Sequence, residues 1–230
     1  MKKQQEIKNI LSTLFPLLSD DDLSYLEDHA NLLTLKKGQN LFRAGDSPKA
    51  IYGVAHGYLK VIRETYNGES VITQIVKAGQ TLGTRELFGD FNYYRSAIAL
   101  KACEVLSIDK SAIFNLARKN FTFVSQFMKH FCEELNRLDK RIEADLYMPA
   151  KGRIAAIIYE LYQHSGESET RTFESPLTRR DIAELADVTP ETVSRVLSEF
   201  KQSGLLKTKG SQFTLLDLTA LHPFIQVQTD

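Results

Sequence analysis

The stretch from Phe121 to Tyr147 constrains this chain more than any other. It holds neither glycine nor proline, and Val124, Met128, Phe131, Leu135, Leu138 and Ile142 recur at steps of 4, 3, 4, 3 and 4. That is the a/d spacing of a coiled-coil seam. One continuous helix on the order of 40 Å long follows from it, ended or kinked by Pro149. Leu146 falls one place beyond the next seam position, which Asp145 occupies, so the seam weakens at that end. The polar face carries Glu133, Glu134, Arg137, Lys140, Arg141 and Glu143. Spacing alone leaves two readings: a helix lying on a neighbouring domain, or a parallel homodimer seam, which a narrow stripe suits better than a broad core.

The chain differs in texture on either side. From about Leu32 to Asp109 it reads as short strands punctuated by glycine: LLTLKKGQNLFRAGD, IYGVAHGYLKVIRE, the hairpin signal Asn67-Gly68, VITQIV, the turn Lys77-Ala78-Gly79, and RSAIALKACEVLSID. Such runs every 8–12 residues suggest a small antiparallel barrel or sandwich. Gly38, Gly45, Gly57, Gly68, Gly79 and Gly83 sit at or near the turns, where unusual backbone angles are needed. An amphipathic helix precedes this part. After Pro149 the chain is mostly helical. Pro149 suits the first position of the helix AKGRIAAIIYELYQHSG, with Gly166 as its stop. A polar loop, GESETR, follows. Thr178 and Asp181 fit a capping box opening the helix DIAELA. After a tight turn at Asp187-Val188, Thr189 is a good N-cap, Pro190 a first helical residue, and Glu191 lies in the first turn of PETVSRVLSEFKQS, which stops at Gly204. LLKTK and QFTLL then form a hairpin turned at Gly210-Ser211. The pattern gives an α+β class: an N-terminal small antiparallel barrel or sandwich (1–110), a helical connector and long central helix (111–148), and a C-terminal helical part that ends in a β-hairpin (149–230).

Two short helices joined by a three- to four-residue turn match the DNA-reading helix-turn-helix. In the second, Val193, Val196, Leu197 and Phe200 supply a buried face, while Glu191, Ser194 and Arg195 project together on another. Arginine bonds guanine O6 and N7 in a bidentate way, and a carboxylate accepts from a cytosine amino group. The alternative is a surface Glu191–Arg195 ion pair. The candidate DNA-binding set is Thr178, Arg179, Thr189, Pro190, Glu191, Thr192, Ser194 and Arg195.

Lys plus Arg equals Asp plus Glu at 29 each. Bulk charge therefore does not drive this chain onto nucleic acid or membrane. The first 148 residues carry 20 basic and 18 acidic groups and the remaining 82 carry 9 and 11. Any DNA binding must then rest on dimerisation, local phosphate contacts and base readout. No segment approaches the ~20 apolar residues of a membrane span, and the N-terminus lacks a signal peptide's apolar block, so a cytoplasmic protein without a membrane partner is expected. No phosphate loop, G-x-S-x-G or metal-ligand cluster appears, so an enzyme is not expected.

The run LTRRDIAELADVTPETVSRVLSEFKQSGLL, with KKGQNLFRAGD, HGYLKVIR and RSAIALKACEVLSID before it, resembles the CRP/FNR family of bacterial transcription regulators over nearly the whole chain. The resemblance implies an N-terminal antiparallel, jelly-roll-like β-roll (1–110), a helical connector and long central dimerisation helix (111–148) and a C-terminal winged helix-turn-helix (149–230), with a homodimer, double-stranded DNA and RNA polymerase as partners and an effector in the roll. Glu191, Ser194 and Arg195 match the E-x-x-S-R pattern of the FNR-like branch, which implies palindromic sites with TTGAT-like half-sites. A cyclic-nucleotide-binding module acting on a protein partner is the competing reading, disfavoured by the complete winged helix.

The sensor departs from its relatives. Cyclic-nucleotide sensors of the family carry a G-E-L/I…R-S/T stretch; here it is GTRELFGDFNYYRSA. Gly83, Arg95 and Ser96 fit, but Thr84 stands at the glutamate position. Glu86 fits only by realignment. A cyclic nucleotide such as cAMP is thus the less favoured effector. An iron–sulfur cluster is disfavoured because the only cysteines are Cys103 and Cys132. Cys103 reads as core, and Cys132, beside the seam, as a buried apolar residue or a redox switch. Haem or a small hydrophobic ligand remains, with His29, His56 or His130 as axial candidates and Met128 or a tyrosine as the partner ligand. Phe127 and Phe131, within a cluster with Phe114, Phe121 and Phe123, line either an apolar pocket or a packed core.

Overall fold

The computed structural model describes residues 2–165 and 170–221. In chain order the elements are α1 (Lys2–Leu14), α2 (Asp20–Glu27), β1 (Ala30–Leu35), β2 (Asn40–Phe42), β3 (Ala50–His56), β4 (Tyr58–Glu64), β5 (Ser70–Lys77), β6 (Thr81–Leu82), α3 (Thr84–Gly89), β7 (Ser96–Ala99), β8 (Cys103–Asp109), α4 (Lys110–Ala117) and α5 (Phe121–Tyr147). Then come α6 (Ala150–His164), β9 (Thr172–Glu174), α7 (Arg179–Leu185), α8 (Pro190–Gln202), β10 (Leu206–Lys209), β11 (Gln212–Leu215) and α9 (Leu218–Leu221). The fold is α+β. The chain forms two compact units, residues 1–133 and 134–230. No helix among the described residues is long and apolar enough to cross a membrane.

In the first unit two antiparallel four-stranded sheets, ordered β1-β8-β3-β6 and β2-β7-β4-β5, make a roll. Alternation along β8 explains how one strand serves two cores. Cys103 and Val105 point into the roll with Val54, Leu59, Val61, Ala97 and Ala99. Leu106 and Ile108 point to the other face, where Leu11, Leu26, Ile113, Phe123 and Phe127 of the flanking helices, with Phe15 just after α1, cover the sheet. All six turn glycines have positive φ. The run IYGVAHGYLKVIRE forms two strands, β3 and β4, separated at Gly57 with φ 89°. A Cβ there would lie 2.6 Å from Cys103 Cβ and 2.9 Å from the Ala102 carbonyl oxygen, so only glycine permits this approach. Three helices among the described residues lie beyond what the sequence pattern indicates: α2, capped by Ser19 accepting from Asp22 N, α3, within the stretch GTRELFGDFNYYRSA, and the short α9.

The boundary between the compact units falls inside α5, past the expected division at residue 110. The cause is local: Phe123 and Phe127 are buried in the helical layer on the roll, with Phe15 5.2 Å from the first ring and 5.6 Å from the second. In the second unit β10, β11 and β9 form a three-stranded antiparallel wing. The hairpin turns at Gly210 with φ 61°, and Thr172–Glu174, directly after the loop sequence, adds a third strand. Pro149 is the N-cap of α6, with ψ 152°, rather than its first helical residue. Gly166, its expected stop, lies outside the described residues, as does much of the GESETR loop.

Candidate nucleic-acid interface and roll site

The two helices of the second unit begin on strong local signals. Thr178 Oγ1 accepts from Asp181 N at 3.1 Å, and Asp181 Oδ2 accepts from Thr178 N at 2.9 Å, a complete capping box for α7. Thr189 caps α8 through Thr192 N, with Pro190 at the start and Glu191 in the first turn. Asp187 takes φ 49° in the turn between them, a conformation that Asp tolerates better than most residues. That turn is held from outside. Arg153 on α6 donates from Nε to Ala186 O at 2.8 Å, from Nη2 to Asp187 O at 3.4 Å, and from Nη1 to Met148 O at 2.7 Å. Arg153 is not apparent as a site residue in the sequence, because its partners in the turn are carbonyls more than thirty positions away.

On α8, Val193, Val196, Leu197 and Phe200 are buried, while Glu191, Ser194 and Arg195 are exposed. Arg195 does not pair with Glu191. Its Nη1 donates to Glu199 Oε1 at 2.9 Å, and Glu199 Oε2 lies 3.2 Å from Lys151 Nζ. Glu191 makes no ion pair among the described residues. Ser194 Oγ donates back to Pro190 O at 2.9 Å. Thr178, Thr189 and Pro190 are exposed and Thr192 is partly buried. Arg179 differs from its neighbours: its guanidinium lies 4.9 Å from the Phe213 ring centroid, and burial lowers its pKa. It covers the wing. Lys201, Lys207 and Lys209 line a groove beside the wing with Thr208 and Gln212.

In the roll, Gly83 (φ 83°) opens α3. Thr84 is buried and Ser96 Oγ accepts from Ala44 N at 2.9 Å. The helical turn brings Glu86, rather than Thr84, toward Arg95: Oε1 lies 3.9 Å from Arg95 Nη2, with side chains 4% and 13% exposed. The acid missing from the linear motif is thus supplied from within the helical turn that follows. Arg95 Nε and Tyr93 Oη are buried without a hydrogen-bond partner among the described residues. Tyr93 stacks on Phe42 at 3.8 Å, and burial, followed by Tyr52, Glu86 and Asp46, raises its pKa. Tyr94 gathers three guanidinium groups, Arg95 at 5.0 Å, Arg85 at 5.2 Å and Arg63 at 6.0 Å. Arg63 and Arg85 carry no signal in the sequence because they become neighbours only through folding.

The aromatic and seam candidates separate. Phe127 packs on Phe88 at 5.1 Å and Phe123 at 4.8 Å, and Phe131 leans on Phe88 at 6.3 Å. These rings pack against one another as core. Phe121 is exposed, and Phe114 sits against Phe88. Val124 is partly buried. Met128, Leu135, Leu138 and Ile142 are 43–60% exposed. His29 Nδ1 is 2.8 Å from Tyr25 O, and His56 lines a groove between α1 and β3 with Glu104. Cys103 is buried, which pushes its thiol pKa up, and Cys132 is exposed.

A capped helix pair with an exposed polar face on its second helix, followed by a β-wing, defines a winged helix-turn-helix. Residues 32–120 match the cyclic nucleotide-binding domain family and residues 152–224 the Crp-like helix-turn-helix domain family. The chain is 31% identical over 189 residues to the fumarate and nitrate reduction regulatory protein of Escherichia coli, covering 81% of this chain and 75% of that one. FixK2 from Bradyrhizobium japonicum superposes with a TM-score of 0.78 at 20% identity, covering 85% of this chain and 97% of its own. A CRP-family transcriptional regulator from Thermus thermophilus gives 0.70 at 18%, covering 84% and 95%. The chain belongs to the CRP/FNR family of transcription regulators.

Proposed function

We propose that this regulator acts as a homodimer that reads palindromic sites with TTGAT-like half-sites through Glu191, Ser194 and Arg195, under control of a small effector in the roll. The observation carrying this reading is α8, whose apolar face is buried while those three side chains face outward. Arg195 would take a guanine O6/N7 edge and Glu191 a cytosine amino group. Thr178, Thr189, Pro190, Thr192 and the wing lysines would meet phosphates and set register. The dimer seam is the stripe Met128, Leu135, Leu138 and Ile142, flanked by Val124 and Phe131; a large apolar stripe facing solvent favours a partner helix. Two copies place their reading helices on half-sites about one helical turn apart. Selection of binding sites from random duplexes by the purified protein tests this; a selected core lacking the central GA step would sink it.

For the effector, the three arginines around Tyr94 favour a small anionic molecule over haem or a hydrophobic ligand, whose candidate lining, Phe127 and Phe131, is occupied by ring packing. Effector occupancy biases the equilibrium between two arrangements of the dimer by its differential affinity for them. Contact with RNA polymerase would turn a bound dimer into an activator. Native mass spectrometry reads dimer mass and retained ligand together; a haem adduct with a full Soret band would return the effector to haem.

A further inference from the structure

We infer that Glu199 is a positioning residue for base reading: it holds the Arg195 guanidinium in the orientation from which a base edge is met, and Lys151 holds Glu199. This rests on Arg195 being the base-reading arginine, and it adds a specificity-determining residue outside the E-x-x-S-R pattern.

An arginine 66% exposed on a helix has many rotamers, and docking on one guanine removes them. A fixed carboxylate removes part of that freedom beforehand. Glu199 spends one oxygen on each of two cations, Oε1 on Arg195 at 2.9 Å and Oε2 on Lys151 at 3.2 Å. It is therefore tied to two helices, α8 and α6. Lys151 is itself placed, its ammonium 5.3 Å from the Phe200 ring centroid. The contact occupies Arg195 Nη1, which leaves the Nε–Nη2 edge for a bidentate guanine contact.

Two alternatives account for the pair less well. As a helix stabiliser it runs in the weaker order, with the base N-terminal to the acid. As a phosphate contact it has the wrong sign, since a carboxylate repels phosphates. A charge that weakens general attraction but fixes the reading group trades non-specific affinity for discrimination. That fits a DNA-binding part whose 9 basic and 11 acidic groups give little bulk attraction.

The test compares affinity for a TTGAT-type palindrome with affinity for random duplex at one salt concentration. It uses the full-length wild type, Glu199→Gln, Arg195→Ala, the double variant and Lys151→Met. Glu199→Gln lowers the specific-to-random ratio roughly three- to tenfold, with random-duplex affinity unchanged or tighter. Lys151→Met lowers it less, in the same direction. In the Arg195→Ala background Glu199→Gln leaves the ratio unchanged, because Glu199 acts through Arg195. The thermal midpoint stays put, whereas a merely structural role would move the midpoint and spare the ratio. An unchanged ratio for Glu199→Gln, or an equal fall in the Arg195→Ala background, overturns the inference and leaves base reading by Arg195 intact. If Arg195→Ala itself does not alter the ratio, the reading assignment falls and this inference with it.

Discussion

Arg95 in the roll is 13% exposed, and its carboxylate partner Glu86 is 3.9 Å away. Arg195 on α8 is 66% exposed, and its partner Glu199 is 2.9 Å away. Burial and pairing thus run in opposite senses. The exposed arginine is well held, although water would have satisfied it. The buried one keeps Nε without a hydrogen-bond partner among the described residues, as does the Tyr93 hydroxyl two positions before it. An unsatisfied buried polar group is costly, and a charged one more so. On the proposed function, the contrast separates two kinds of site. A reading surface has its groups pre-set for a ligand arriving from solvent. A sensing site holds unspent hydrogen-bonding capacity, which a ligand would take up.

The largest effect that tests this division concerns what each site owes to a second copy of the chain. Replacing Leu135 and Ile142 with Glu puts charge into the exposed stripe and should give a monomer by sedimentation equilibrium. Two linked half-site contacts become one, so affinity for the palindrome falls on the order of 10²–10⁴-fold. Both substitutions lie outside the roll's compact unit, so ligand retention there persists. A variant that stays dimeric with undiminished DNA affinity would place the seam elsewhere.

Arg153→Met sharpens the reading half of the comparison. It removes three charged hydrogen bonds that hold the helix-turn-helix turn and the chain just after α5. The site is partly exposed and water recovers some of the loss, so about 2–3 kcal/mol of stability is expected to go. Urea unfolding measures it, and affinity for the palindrome should weaken with it. Unaltered stability would mean the turn stands on its caps alone, and the reading surface would be as local as its sequence suggests.

Legibility in the sequence follows the same line. The capping box Thr178–Asp181, the Thr189-Pro190 start, the stop near Gly204 and the wing turn at Gly210 are all short-range devices, and each lies where its residues indicate. The α5 stripe is visible because its period is regular over six residues. What the sequence hides is built by folding across distance. Glu86 reaches Arg95 only because residues 84–89 close a helical turn, and Arg63, Arg85 and Arg95 meet over Tyr94 from separate segments. The aromatic cluster is visible as composition, but only packing distances show Phe127 committed to its neighbours. Arg153 and Glu199 look like ordinary surface charges until their partners are known.

The smallest effect bears on the sensing half. Tyr93 is buried on Phe42 with no partner for its hydroxyl. Removing an unpaired buried hydroxyl while keeping the ring should leave stability unchanged or raise it by about 1 kcal/mol. Tyr93→Phe is the variant, and alkaline pH gives a second readout. Burial, then Tyr52, Glu86 and Asp46, raises the phenol's pKa above its ordinary value of 10.0. Above about pH 10 the unfolded chain loses this proton while the folded chain keeps it. The unfolded state then binds fewer protons, and stability falls as pH rises. The contribution is whole below about pH 10 and is lost on the way up to the folded-state value. Tyr93→Phe should flatten that part of the stability–pH profile measured by urea unfolding. A variant destabilised by about 1–2 kcal/mol at neutral pH would show that the hydroxyl is already bonded, and the roll would then resemble the reading helix in being fully satisfied. A stable variant that no longer retains a ligand the wild type carries would identify the hydroxyl as part of the capacity the ligand uses.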